Sequence, residues 1–119
     1  MKKVLWVSRH EMTKDQFQDL ERVMGGPVEL VLWKNTVKNV KDLAPVLACV
    51  DAAAVVLPTE KLAELMQYSQ GKPVLQAVAE RKLTGSVSIL PDGRKEPEIT
   101  FVHKGWQEIL RLEYVTRFL

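Results

Sequence analysis

Three times in the first 78 residues, a short apolar run is followed by a polar loop and a segment with helical spacing, and a fourth apolar run closes the series. Solid apolar runs fit strands buried on both faces, and strands alternating with amphipathic helices specify a parallel sheet layered with helices. The runs are Val4 to Val7, Val28 to Trp33, Asp51 to Pro58 with its Ala-Ala-Ala-Val-Val core, and Val74 to Val78. The first helix is expected over about Lys14 to Met24, with Phe17, Leu20 and Met24 on one face. Thr13 and Gln16 form a capping box at its start, and Gly25-Gly26-Pro27 stops it. A second helix is expected from Asp42, as cap, to Cys49, and a third over Thr59 to Ser69. Right-handed crossovers give the strand order 2-1-3-4, with the switch point between the first and third strands. The fold class expected is α/β: one Rossmann-like domain over residues 1–119, mostly parallel, with helices on both faces and a late β-hairpin.

The last third has a different pattern. Ala79 to Leu83 reads as a charged connector, Ser86 to Leu90 as a short strand, and Pro91-Asp92-Gly93 as a turn. Glu98 to His103 can return as the partner strand, with Pro97 weakening its start. In Gln107 to Leu119, the alternation of Leu110, Leu112, Tyr114 and Phe118 with charged residues favours an edge strand. A helix starting at Trp106 is the competing reading.

A net charge of +2 lacks the cation excess of a protein that grips long nucleic acid, so DNA is not an expected partner. It is compatible with a small anionic ligand held by a few local cations. The single Cys49, in an apolar setting, reads as a packed core thiol of a reducing cytoplasm. No apolar run is long enough for a membrane span or a signal peptide, so a cytoplasmic protein is expected. The sequence has no metal-ligand spacing and no glycine-rich dinucleotide or Walker loop. It has no G-x-S-x-G elbow either, so no metal or cofactor is expected.

What remains is a set of cations and hydrogen-bonding groups. In open α/β sheets ligands bind outside the carboxyl ends of the strands, where Ser8, Arg9 and His10 follow the first strand. Arg81 and Lys82 follow the expected fourth strand and would share that rim, so that Arg9 and Lys82 face one anion. Each also has a plainer reading. Arg81 and Lys82 can be solvated loop residues, and His10 can be a structural or merely exposed histidine. His103 fits packing against Trp106 better than catalysis, and Thr59 fits a helix cap that could also touch a phosphate. Trp6 and Trp33 fit core or rim packing.

The stretch Leu5-Trp6-Val7-Ser8-Arg9-His10-Glu11-Met12-Thr13-Lys14-Asp15-Gln16 resembles the opening of the compact, stand-alone CRISPR-associated ring nucleases of the Csx type. The later Arg81-Lys82, Asp92-Gly93, Phe101-x-His103 and Trp106 are similar to that family's closing part. The resemblance implies a CARF-like homodimer that cleaves cyclic oligoadenylate, the messenger of type III CRISPR antiviral signalling, without a metal. It further implies that Ser8 bonds a phosphate or 2′-hydroxyl, and that Arg9 or His10 stabilises the transition state or protonates the leaving oxygen. Arg81 or Lys82 would clamp the phosphate. Thr59 and His103 are counted as candidate ligand contacts from their place in the sequence, not from the resemblance. Two other readings stay open: a nucleotide sensor without turnover, and a small interaction or regulatory protein of phage or mobile-element origin.

Overall fold

In the computed structural model, which describes residues 1–112, 117 and 119, the five strands form one mixed sheet in the order β2-β1-β3-β4-β5. β1 (Lys2–Val7) lies between β2 (Val28–Trp33) and β3 (Ala52–Val55) and pairs in parallel with both. Its apolar run is buried because it has helices on each side. Val4 and Trp6 face the layer containing α1 (Lys14–Met24), while Leu5 and Val7 face the opposite layer. The alanines of β3 alternate in the same way, Ala52 and Ala54 to the α1 side and Ala53 to the other. β3 joins β4 (Val74–Ile89) in parallel through Ala53–Val74 and Ala54–Leu75, so the expected order of the first four strands holds. The antiparallel β5 (Lys95–Glu108) is added outside β4.

α1 starts and stops where its sequence signals lie. The Thr13 hydroxyl accepts from the Gln16 N–H, the Gln16 side chain accepts from the Thr13 N–H, and Gly25 closes the helix at φ 79°.

The second helical segment departs from expectation. A 3₁₀ turn at Val40–Leu43, capped by Asn39 rather than Asp42, runs into the short α2 (Ala44–Leu47). Pro45 has no N–H to give the Lys41 carbonyl, the bond an α-helix needs there. The Ala44 N–H takes that carbonyl instead, tightening the turn. Because α2 ends at Leu47, Cys49 lies in the following turn and is exposed, not packed in the core; Val50 is buried in its place.

α3 (Thr59–Tyr68) begins at the expected residue, but Pro58 occupies the cap position and Thr59 is the exposed first helical residue. Thr59 is therefore not the cap it was read to be. With no side-chain bond at this start, the helix is held by Leu62 and Leu65, which bury against the sheet.

The largest departure is at β4. The expected strand, connector and second strand are one continuous strand of 16 residues, paired with β5 along its length. Residues 79–83 carry charge yet remain extended because that part of the hairpin is exposed on both faces, so a charged side chain there costs no desolvation. The turn at Pro91-Asp92-Gly93 forms as read, with Gly93 at φ 86° and the Leu90 N–H donating to the Arg94 carbonyl. Pro97 is tolerated within β5 beside an irregularity in pairing between Leu83 and Val87. Trp106 lies inside β5, which removes the helix starting there. Ile109 to Leu112 are irregular, and the tail positions Tyr114 and Phe118 lie outside the described residues. Among the described residues no helix is long and apolar enough to cross a membrane.

Candidate functional site

At the carboxyl rim of the parallel strands the chain turns away from β1 at Ser8, between the ends of β2 and β3. The Ser8 N–H donates to the Trp33 carbonyl (3.2 Å), and the neighbouring Val7 carbonyl accepts from the Val56 N–H (2.9 Å). Ser8 is buried, and its Oγ accepts from the His10 N–H (3.1 Å), bending the loop around the hydroxyl. The His10 carbonyl in turn accepts from the Trp6 indole N–H (2.9 Å). Past this bend Arg9 lies on the side of Val7 and His10 on the side of Trp6.

Two cavities flank this loop, and Ser8 lines both. The first, about 230 Å³, lies at the ends of β1, β2 and β3 and contains Arg9, Asn35, Thr36 and Lys61. Arg9 Nη2 donates to Thr36 Oγ1 at 2.6 Å, which fixes one edge of the guanidinium. Lys61, in the first turn of α3, donates from Nζ to the Val37 carbonyl. Two cations, Arg9 exposed and Lys61 half-buried, stand over walls of Val7, Val37 and Leu57 and give this cavity positive charge. The second cavity, about 440 Å³, opens between α1 and β2 and is lined by Trp6, Met12, Phe17 and Leu32, with His10 and Lys34 at polar positions. An aromatic and aliphatic cleft with few polar groups suits a flat heteroaromatic ring.

The residues singled out from sequence are only partly brought together. Ser8 and Arg9 share the first cavity, and Ser8 and His10 share the second. Arg9 is absent from the second lining and His10 from the first, so the two do not converge on one cavity. Thr59 lines neither. Arg81 and Lys82 were expected on the same rim because a connector was read there. In the continuous β4 they pair with Phe101 and Thr100 instead. Extending the register that aligns Trp6, Ala54 and Leu75 puts them about 13 and 17 Å beyond the level of Ser8, at ~3.3 Å per residue. They therefore do not face an anion held by Arg9 of the same chain. Thr36, Asn35 and Lys61 were missed. The rim argument applied to the ends of the second and third strands, and not only to the first and fourth, would have found them.

His103 serves elsewhere. From β5 its Nε2 lies 2.9 Å from Asp19 Oδ2 on α1, and its ring packs on Trp106 at 5.8 Å, as the packing reading expected. Trp106 donates its indole N–H to the Gln16 carbonyl (3.0 Å) and meets Trp6 edge-on at 6.1 Å. Together these groups fasten the last strand to the first helix.

The Asp19 carboxyl is held below the usual aspartate range, first by its bond to Arg22 (2.7 Å) and then by His103, against a smaller opposing effect of burial. A carboxyl with a lowered folded-state value stabilises the fold above the unfolded value, about pH 4, and loses that contribution as pH falls through the lower folded value. The melting temperature of Asp19→Asn is therefore expected to fall less steeply on the acid side than that of the parent. Superimposable acid limbs would show that the carboxylate adds nothing.

Among the described residues no three of His, Cys, Asp and Glu gather to hold a metal ion. Comparison of the chain with family models, with curated proteins and with solved structures finds no match.

Proposed function

We propose that the rim around Ser8 binds cyclic oligoadenylate and opens the ring, in a Rossmann-like domain of the compact ring-nuclease kind working as a cytoplasmic homodimer. The observation that carries this reading is the pairing of cavities: a cationic one with Arg9 and Lys61 and an aromatic one with Trp6 and Phe17, joined at buried Ser8. A nucleotide is an anion and a flat base separated by a sugar, and these two cavities match that division. In ring opening a ribose 2′-oxygen attacks its own 3′-phosphorus, the bond to the 5′-oxygen breaks, and a 2′,3′-cyclic phosphate and a 5′-hydroxyl result. The 2′-hydroxyl proton is lost and one is supplied to the leaving oxygen, so no metal or external nucleophile is required. The chain's task is alignment and charge stabilisation. The Arg9 guanidinium stabilises the phosphoryl oxygens, Ser8 orients the sugar or phosphate, and Lys61 adds a second positive charge.

A sensor without turnover is the second reading, favoured by one observation: Arg9 and His10 line different cavities, so the imidazole does not stand beside the Arg9 cation.

The test is incubation with cyclic tri-, tetra- and hexa-adenylate in EDTA, followed by product chromatography and a binding titration. Linear products ending in a 2′,3′-cyclic phosphate are expected. Binding without products supports the sensor, and neither binding nor products sinks both nucleotide readings and leaves the interaction protein.

A further inference from the structure

β4 outruns its parallel neighbour. The ladder between β3 and β4 ends at Ala54–Leu75, while β4 continues past it with β5 on its other side. Two hydrogen bonds give the direction of the backbone groups in this stretch. The Ala53 N–H donates to the Pro73 carbonyl (3.0 Å), and the Ile109 N–H donates to the Val74 carbonyl (2.8 Å). Successive strand residues turn their backbone groups to opposite neighbours, so Pro73, Leu75 and Ala77 face β3 while Val74 and Gln76 face β5. Ala77 therefore turns both its N–H and its carbonyl toward a strand that has already ended. Among the described residues neither group has a partner.

These two groups stand at a third cavity, about 200 Å³, lined by Val55, Val56, Leu57, Gln76 and Ala77. Val56 and Leu57 also line the cavity of Arg9 and Lys61, so the two are continuous along the rim. The cavity of Trp6 adjoins that of Arg9 at Ser8 on the other side. β3 is the single strand between β1 and β4, which sets the ends of those strands ~10 Å apart. The rim thus carries three cavities in a row, and only the middle one has cations over an aliphatic floor.

We propose that the third cavity holds a second adenine of the bound oligoadenylate, and that the open backbone edge of Ala77 reads it. The ring nitrogen N1 accepts from the Ala77 N–H, and the 6-amino group donates to the Ala77 carbonyl. This inference rests on the oligoadenylate reading and deepens it. One chain takes a base, the phosphate and the next base in the cavities of Trp6, Arg9 and Ala77. The open groups are a donor beside an acceptor, the pair that the N1 and amino edge of adenine complements. The walls Val55, Val56 and Leu57 are aliphatic, and no charged side chain lines the cavity. Such a place suits a neutral flat ring next to a phosphate, and not a second phosphate. An extended peptide fits poorly. The pairing of β4 with β5 shifts between Val78 and Ala79, just beyond Ala77, so a strand added at this edge would lose its register at once.

The probe is the dinucleotide of two deoxyadenosines, which has no 2′-hydroxyl and so binds without being opened. Its analogue carries 1-deazaadenine at both positions, where a carbon replaces N1 and accepts nothing. Titrated into the full chain, the analogue is expected to bind roughly 3- to 10-fold more weakly, the value of one hydrogen bond. Ala77→Pro removes the N–H, and because that N–H points away from β5 the ladder with β5 keeps its bonds. This variant is expected to bind the adenine dinucleotide more weakly by the same factor and to bind the two dinucleotides equally. A folded variant that still distinguishes them overturns the proposal, as does a parent that does not. Should Ala77→Pro lose its circular dichroism, the Ala77 amide resonance of the parent decides. A downfield shift with the adenine dinucleotide and none with the analogue supports the subsite, and an unmoved resonance overturns it. Failure of the wider reading looks different. Binding of neither the dinucleotide nor cyclic tetra-adenylate removes both proposals, whereas ring binding with an unmoved Ala77 amide removes this subsite alone.

Discussion

Leu5→Ala is expected to lower the unfolding free energy by about 2–5 kcal/mol, a large part of the ~5–15 kcal/mol that holds a domain together. Leu5 is 0% exposed at the centre of β1, with β2 hydrogen-bonded on one side and β3 on the other. On its face it belongs to the cluster of Leu43, Leu47, Leu62 and Leu65. A strand clamped by parallel neighbours cannot shift to fill the space left by a deleted side chain, so the loss includes the cavity as well as the transfer of the missing carbons. Urea denaturation should show a lower midpoint with an unchanged slope. Leu32→Ala, at a position half in solvent on β2, provides the comparison and should cost far less. Equal losses at the two positions would mean that the layer of α2 and α3 does not pack on β1 as described.

Arg9→Ala is expected to weaken binding of cyclic oligoadenylate by roughly 10- to 100-fold, the value of one or two charge-assisted hydrogen bonds, with the melting temperature unchanged. Arg9 is exposed and outside the apolar clusters, and among the described residues its side chain bonds to Thr36 across the cavity mouth, so the fold loses little when it goes. Arg9→Lys should recover part of the affinity. It restores the charge but not the planar pair of donors that matches a phosphate. A titration that gives parental affinity for Arg9→Ala would remove the first cavity from the proposed site.

The sheet was legible because its signals were local and unopposed. Val4 to Val7, the alanines of β3 and the Thr13–Gln16 box each had one structural solution, and the parallel order followed from the β-α rhythm. Two misreadings had physical causes of different kinds. The second helix was read as one element capped by Asp42, but Asn39 caps a 3₁₀ turn there, and Pro45, in the first turn of the short α2, cannot give Lys41 the bond that would make the two one α-helix. At residues 79–83 charge was taken for loop, although charge excludes a strand only where the strand is buried. That misreading put Arg81 and Lys82 on the rim with Ser8. At the site, the loop Ser8-Arg9-His10 was visible as a polar end to an apolar run. Thr36 and Lys61 were not, since their approach to Arg9 depends on how the ends of β2 and α3 come together in space.

The contacts of Trp106 with Gln16 and of His103 with Asp19 join residues 90 and 84 positions apart in the chain. Trp6 has its edge-on neighbour on the α1 side only once Trp106 has arrived. During synthesis the first helix and strand leave the ribosome long before that partner exists, and the loop between them must close over most of the chain. The opposite layer, whose buried residues all lie at or before Val74 and to which only Ile109 is added late, can assemble most of its core sooner. Vectorial synthesis therefore makes the two sides of one sheet mature at different times, and the indole of Trp6 stays without its Trp106 neighbour until residue 106 emerges.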